Sequence, residues 1–198
     1  MSPKKVIEYC LDQATAVIVQ LRPEQFAFAT PCTEWDARTV AQHMLYELLW
    51  AADILNGKTI AEVGNQHESD SIATDIAESW QVALKQTRKA LKKAKLNDAA
   101  HLSYGTVSKE FYGLEFATDM LLHAWDLGQG IDVTVMFDPS IATILYENAL
   151  PKEDMIKGSG LFAPSLPVAD DADPQTKLLA LFGRCTAWAE RAEASREA

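Results

Sequence analysis

Apolar residues recur every three or four positions along most of the chain, and this spacing predicts amphipathic helices. The long predicted helices cover residues 3–21, 36–57, 71–95 and 111–129. Asp36 is a favourable N-cap for the second of them, since its carboxylate can accept a hydrogen bond from a free backbone N–H group, and Gly57 is a typical helix end. Four long helices with polar connections indicate a helical bundle.

Shorter elements are predicted between and after these helices. Residues 100–110 break the helical spacing with Ser, Tyr, Gly, Thr and Val, which favours an extended segment or a short hairpin. A fifth helix is predicted after residues 138–140 and continues to Ala149. A last helix begins at Pro174, behind the capping residue Asp173, and its apolar stripe extends to Trp188.

Residues 157–174 form the longest irregular stretch, with glycines and prolines but also several large apolar side chains. We expect this stretch to lie across the body of the protein, with Leu161, Phe162 and Leu166 buried. The fold class is therefore predicted to be all-α: a four-helix bundle with short additional helices and a C-terminal helical extension. A single domain over 1–198 is expected, in which residues from about 150 to 198 pack on the bundle.

Two polar residues interrupt the very apolar helical stretch FATDMLLHAWDLGQG at 116–130. Asp119 and His123 are four residues apart and so lie on one helix face, and His43 and Glu47 have the same spacing on the second helix. Two histidines and a carboxylate from facing helices are a common ligand set for a divalent transition metal, and three ligands leave coordination positions open for chemistry. The alternative is a purely structural role, in which each histidine is a hydrogen-bonded core residue.

Other residue patterns change this interpretation little. The di-iron pattern of Glu-x-x-His on two helices is absent, as are the sequence signatures of phosphate loops and nucleophile elbows. His67 and His101 lie in polar segments and are expected to be solvated. Cys32 follows a proline in a loop and could be a reactive thiol, although an isolated cysteine more often behaves as a small apolar residue.

Composition restricts the function classes. The net charge of −10 argues against a nucleic-acid partner, which needs a positive surface, and no apolar run is long enough to span a membrane. Three widely spaced cysteines and an N-terminal stretch unlike a signal peptide favour a cytoplasmic location. The hydrophobic content of 48% permits a homodimer without requiring one.

Three segments resemble sequence landmarks of the mycothiol-dependent maleylpyruvate isomerase N-terminal family, which belongs to the DinB-like superfamily. They are TPCTEWDARTVAQHM at 30–44, LLHAWDLGQG at 121–130 and LFAPSLPVADDADPQTKLLALFGR at 161–184. The resemblance implies a DinB-like four-helix bundle with a metal held by His43, Asp119 and His123. It also implies that the metal is zinc, with nickel or iron as alternatives. Two departures are visible: the isomerase has glutamate where this chain has Asp119, and it has a separate C-terminal domain that supplies an arginine.

The leading functional hypothesis is a metal-dependent enzyme that activates a low-molecular-weight thiol or water. Such an enzyme would carry out transfer to, or isomerisation or hydrolysis of, a small-molecule substrate, so thiol transferase and isomerase are the activities considered. Glu47 is a candidate general base or a residue that orients His43. Asp126 could instead form a hydrogen bond within its own turn. The alternative from another class is a non-catalytic helical bundle that holds a metal or a small ligand.

Overall fold

A computed structural model describes residues 1–68 and 75–188, and its architecture is all-α. The chain divides into two compact units, Met1–Val133 and Thr134–Ala198. The helices of the first unit are α1 (Pro3–Ile18), α2 (Ala37–Asn56), α3 (Ile60–Val63), α4 (Ile76–Lys93) and α5 (Lys109–Gly130). Its four long helices form the predicted bundle, and the start of the predicted third helix at 71–74 lies outside the described residues.

The bundle is held together by two closely packed helix pairs, α1 with α5 and α2 with α4. α2 also packs against α5, which brings the two helices with the predicted metal ligands side by side. Trp80 of α4 is completely buried, and its indole N–H donates to the hydroxyl of Thr15 on α1 at 2.9 Å. The interior thus combines close apolar packing with paired polar groups, as burial of a polar atom requires.

The ends of α2 agree with the sequence prediction. The Asp36 carboxylate accepts a hydrogen bond from the Thr39 backbone N–H at 2.8 Å, and Gly57 ends the helix in the left-handed conformation with φ of 94°. α5 agrees with its predicted range, 111–129, to within two residues at its start and one residue at its end. A Cβ atom at Gly130 would lie 2.9 Å from the Ala29 carbonyl oxygen, so this glycine permits the loop before α2 to pack closely against α5.

A short antiparallel hairpin, β1 (Ala99–Leu102) and β2 (Gly105–Ser108), precedes α5 and confirms the prediction for this segment. The Ser108 hydroxyl accepts a hydrogen bond from the backbone N–H of the third α5 residue. The Lys109 ammonium group donates to the Leu55 carbonyl oxygen at 2.9 Å. This contact joins the start of α5 to the end of α2, so the two helices run in opposite directions.

The second unit contains three α-helices among its described residues: α6 (Pro139–Ala149), α7 (Glu153–Ser159) and α8 (Pro174–Leu181). α6 packs against α8, and both begin where the sequence predicted. α8 ends well before Trp188, so the predicted stripe is longer than the helix. The expected burial of Leu161 is wrong, since it is 81% exposed, and Leu166 is also exposed.

The single domain, and the packing of residues from about 150 to 198 on the bundle, remain predictions. Among the described residues, no helix is both long and apolar enough to cross a membrane.

Candidate metal centre

The predicted ligand residues meet between α2 and α5. His43 Nε2 lies 3.4 Å from Asp119 Oδ2, and His123 Nε2 lies 3.5 Å from Asp119 Oδ1. One ligand atom from each of the three side chains falls within 4.8 Å of the other two. The helix packing explains why these three side chains lie close together. Asp119 and His123 are one turn apart on the same face of α5, and the neighbouring α2 supplies His43.

The carboxylate of Asp119 is poorly satisfied by the protein alone. Its Oδ2 atom is buried and has no hydrogen-bond partner of acceptable geometry, although His43 Nε2 is 3.4 Å away. Burial alone would raise the pKa of Asp119, but the charges and N–H groups of His123 and His43 hold that pKa well below its usual range. A buried anionic oxygen of this kind fits a cation, and the imidazole–carboxylate donor set suits a transition metal.

Asp126 fixes the orientation of His123. Its completely buried carboxylate lies 3.1 Å from His123 Nδ1, so the Nε2 atom of the same ring is directed toward Asp119. Burial opposes a charge on His123, yet the two flanking carboxylates outweigh it and raise the pKa of His123 to about 9. The sequence analysis missed this role of Asp126. The spacing of His123 and Asp126 could have indicated this role, because residues three apart on a helix are neighbours.

A loop before α2 covers both histidines with an aromatic ring. The Trp35 ring centroid is 4.7 Å from that of His43 and 5.6 Å from that of His123, nearly parallel to the latter. The Thr30 hydroxyl donates to the Trp35 carbonyl oxygen at 2.8 Å and so closes the loop. Cys32 belongs to this loop, and its sulfur forms a second compact group of ligand-type atoms with His123 and Asp126.

Glu47 lies one turn beyond His43 on α2 and is half-buried. Burial, reinforced by the negative charge of Asp119, raises the pKa of Glu47 to about 7, and the two histidines only partly oppose this. Glu47 is absent from the group of ligand atoms within 4.8 Å. Its carboxyl group can therefore exchange a proton near neutral pH beside the three-residue cluster.

The remaining histidines lie outside the centre. His67 was expected to be solvated, but its side chain is only 12% exposed and its Nε2 lies 2.9 Å from Asp53 Oδ2. His101 is exposed on β1, where its Nδ1 lies 3.0 Å from the Thr106 hydroxyl. Neither residue joins a potential metal-ligand group within the described part of the chain.

Residues 9–128 match the sequence profile of the mycothiol maleylpyruvate isomerase N-terminal domain, a match that includes α2, most of α5 and the cluster between them. The chain belongs to this family. Members of the mycothiol maleylpyruvate isomerase N-terminal domain family are DinB-like and generally bind metal, which agrees with the donor set found here. Neither the curated proteins nor the solved structures include a significant match.

Proposed function

We propose that this protein is a metal-dependent enzyme in which His43, Asp119 and His123 hold one divalent ion, zinc before nickel or iron. The observation that carries the proposal is the buried Asp119 Oδ2, which lacks a hydrogen bond and lies 3.4 Å from His43 Nε2, while Oδ1 of the same carboxylate lies 3.5 Å from His123 Nε2. Hydrogen bonding within the protein leaves this oxygen unsatisfied, whereas a cation would satisfy it. The geometry therefore fits a bound metal better than it fits a structural polar cluster.

The proposed substrate is a small molecule, together with a low-molecular-weight thiol or water as nucleophile. A divalent ion supplies Lewis acidity, which lowers the pKa of a thiol or water molecule that it binds. Asp126 keeps the Nδ1 atom of His123 engaged and so fixes which nitrogen faces the centre. Trp35 covers the two histidine rings and limits access of bulk water from that side.

Glu47 is the proposed proton acceptor. Its pKa of about 7 means that the carboxylate and the carboxylic acid are both populated near neutral pH, so it can take a proton from the nucleophile and return it to the product. The reaction class that follows is thiol transfer, isomerisation or hydrolysis of an electrophilic small molecule. A cytoplasmic location is part of the same proposal, taken from the composition, which also permits a homodimer without requiring one.

Activity assays test whether the centre is catalytic. The metal-free protein and the zinc-reloaded protein would be assayed with biological thiols and electrophiles, and separately for hydrolysis without thiol. We expect turnover only after reloading, its loss in His43→Ala, and its retention in the control His101→Ala, since His101 is exposed and belongs to neither group of candidate ligand atoms. Metal binding without turnover of any substrate would indicate the alternative, a non-catalytic metal-binding bundle.

A further inference from the structure

We propose that a cleft between α2 and α4 binds a small ligand with two negative charges on oxygen atoms, such as a phosphate monoester or a dicarboxylate. The cleft has a volume of about 260 Å³ and is lined by side chains of both helices. Its lining residues belong to neither group of candidate metal ligands in the described part of the chain. Asp53, which lines the cleft, lies ten residues beyond His43 on α2, about 15 Å along the helix axis. The cleft is therefore a separate site from the proposed metal centre.

Two buried alanines make room for the cleft. Ala52 of α2 and Ala90 of α4 line it and are 5% and 2% exposed. Their methyl groups are shorter than the surrounding side chains of α4, Gln86, Lys89 and Lys93, which follow one another at the three- and four-residue spacing of one helix face. The volume corresponds to about nine water molecules at about 30 Å³ each, which suits a small molecule rather than a polymer.

Lys89 and Lys93 give the cleft a positive charge that the protein itself does not neutralise. Within the described part of the chain, neither ammonium group forms an ion pair or a hydrogen bond. Arg88, the neighbour of Lys89 on another face of α4, instead pairs with Glu8 of α1 at 3.0 Å. A lysine ammonium group is a compact charge with three N–H donors, so two of them in one cleft suit a ligand with two negative charges.

The Asp53 carboxylate also lines the cleft, but it already has partners of its own. Lys58 Nζ lies 2.9 Å from Asp53 Oδ1, and His67 Nε2 lies 2.9 Å from Asp53 Oδ2. Burial opposes a charge on Asp53, yet the hydrogen bonds from Lys58 and His67 outweigh it and hold the pKa of Asp53 below its usual value. Both carboxylate oxygens are thus engaged, and the two lysine charges of the cleft stay available to a ligand.

Two carboxamide side chains supply further donors. Asn56 of α2 and Gln86 of α4 line the cleft, and neither side chain makes a hydrogen bond to another described residue. Each amide offers two N–H donors, which together with the ammonium groups can satisfy the several oxygen atoms of a phosphate or of two carboxylates. In a chain with a net charge of −10, a concave positive surface of this kind is where an anion is attracted.

The last turn of α4 provides a matched control. Lys92 and Lys93 both lie in this turn, where positive charge interacts favourably with the helix dipole. Lys93 lines the cleft, whereas Lys92 lies outside its lining. Lys92→Gln therefore removes an equal charge from the same helix end and leaves the cleft unchanged.

Protein NMR tests the inference by locating the bound anion. Isotope-labelled protein would be titrated with inorganic phosphate and separately with succinate, at about pH 8, where phosphate is mainly dianionic. Sodium chloride would keep the ionic strength constant. We expect saturable shifts of the backbone amide signals of Ala52, Gln86 and Ala90, with the same Kd in metal-free and zinc-loaded protein. Saturation by phosphate alone would identify a phosphate site, and saturation by both ligands a site for dianions in general.

The Kd of the bound dianion should rise about tenfold in Lys89→Gln and in Lys93→Gln, equivalent to about 1.4 kcal/mol. It should change less than about twofold in Lys92→Gln, because a charge outside the cleft is screened by solvent and salt. An equal Kd in wild type, Lys89→Gln and Lys93→Gln would overturn the inference. Shifts in wild type that do not saturate with either ligand, or saturation seen only after zinc loading, would overturn it without any variant.

Discussion

Raising the pH should destabilise the metal-free protein through His123. The pKa of His123 is about 9 in the folded chain and 6.5 in the absence of its partners. Because folding raises the pKa, the stabilisation from the imidazolium is complete below pH 6.5 and is lost as the pH rises through 9. The difference of 2.5 pH units corresponds to about 3 kcal/mol, since each unit is worth about 1.4 kcal/mol.

Urea unfolding of metal-free protein between pH 6.5 and 9.5 measures this loss as a decrease in the free energy of unfolding. His123→Gln removes the titrating ring and should abolish most of the decrease, whereas the control His101→Gln should retain it because His101 is exposed. NMR titration of the His123 imidazole provides a direct second measurement. A pKa of His123 below about 7, or an undiminished decrease in His123→Gln, would refute the reasoning.

The same proton links pH to metal binding. A metal that binds His123 through Nε2 must displace a proton when the pH is below about 9. Zinc affinity, measured by competition with a chelator, should therefore increase about tenfold per pH unit between pH 7 and 9 and then level off. The stabilisation that zinc confers should grow over the same range. An affinity independent of pH in this window would contradict the role of His123 as a ligand.

Three substitutions give further expectations. Asp126→Asn should weaken zinc binding about 10- to 100-fold, measured by chelator competition, because an uncharged amide supports the orientation and basicity of His123 less well. Trp80→Phe should lower the free energy of unfolding by about 1–3 kcal/mol in urea titrations, since it removes the hydrogen bond to Thr15 inside the bundle. Gly183→Ala should lower the thermal midpoint, because the residue has a φ of 76° and a new Cβ would lie 2.6 Å from that of Ala163.

For each of these three substitutions, one result would contradict the expectation. Unchanged zinc affinity in Asp126→Asn would mean that the buried carboxylate does not act on His123. A Trp80→Phe variant as stable as wild type would show that the Thr15 hydrogen bond has no net value, and Thr15→Val is the matched test of the same bond from the other side. A Gly183→Ala variant with an unchanged midpoint would contradict the close approach to Ala163.

The sequence predicted the bundle because its long helices carry their own signals. Apolar spacing, the Asp36 cap and the left-handed Gly57 are local features, and the structure places α2 where they indicate. The end of α5 was also predicted to within one residue. The sequence did not indicate the close approach of the Ala29 carbonyl oxygen to Gly130, a contact between segments distant in sequence. Local spacing contains no information about such a contact.

The candidate site shows the same division between local and long-range information. Helical spacing on each helix selected His43 and the pair Asp119 and His123, but it could not show that α2 and α5 are neighbours. The covering position of Trp35 depends on a loop closed by the Thr30 hydroxyl, which has no periodic signature. The contact of Asp126 with His123 could have been predicted, since the i, i+3 spacing of the two residues is visible in the sequence.

The metal content of the purified protein tests the central claim most directly. Elemental analysis after exposure to stoichiometric zinc and desalting should give about one ion per chain in wild type and in His101→Ala, since the three candidate ligands form one compact group. It should give much less than one in His43→Ala and in His123→Ala. No retained metal in folded wild-type protein, or equal metal in wild type and both ligand variants, would contradict the assignment of His43, Asp119 and His123 as a metal centre.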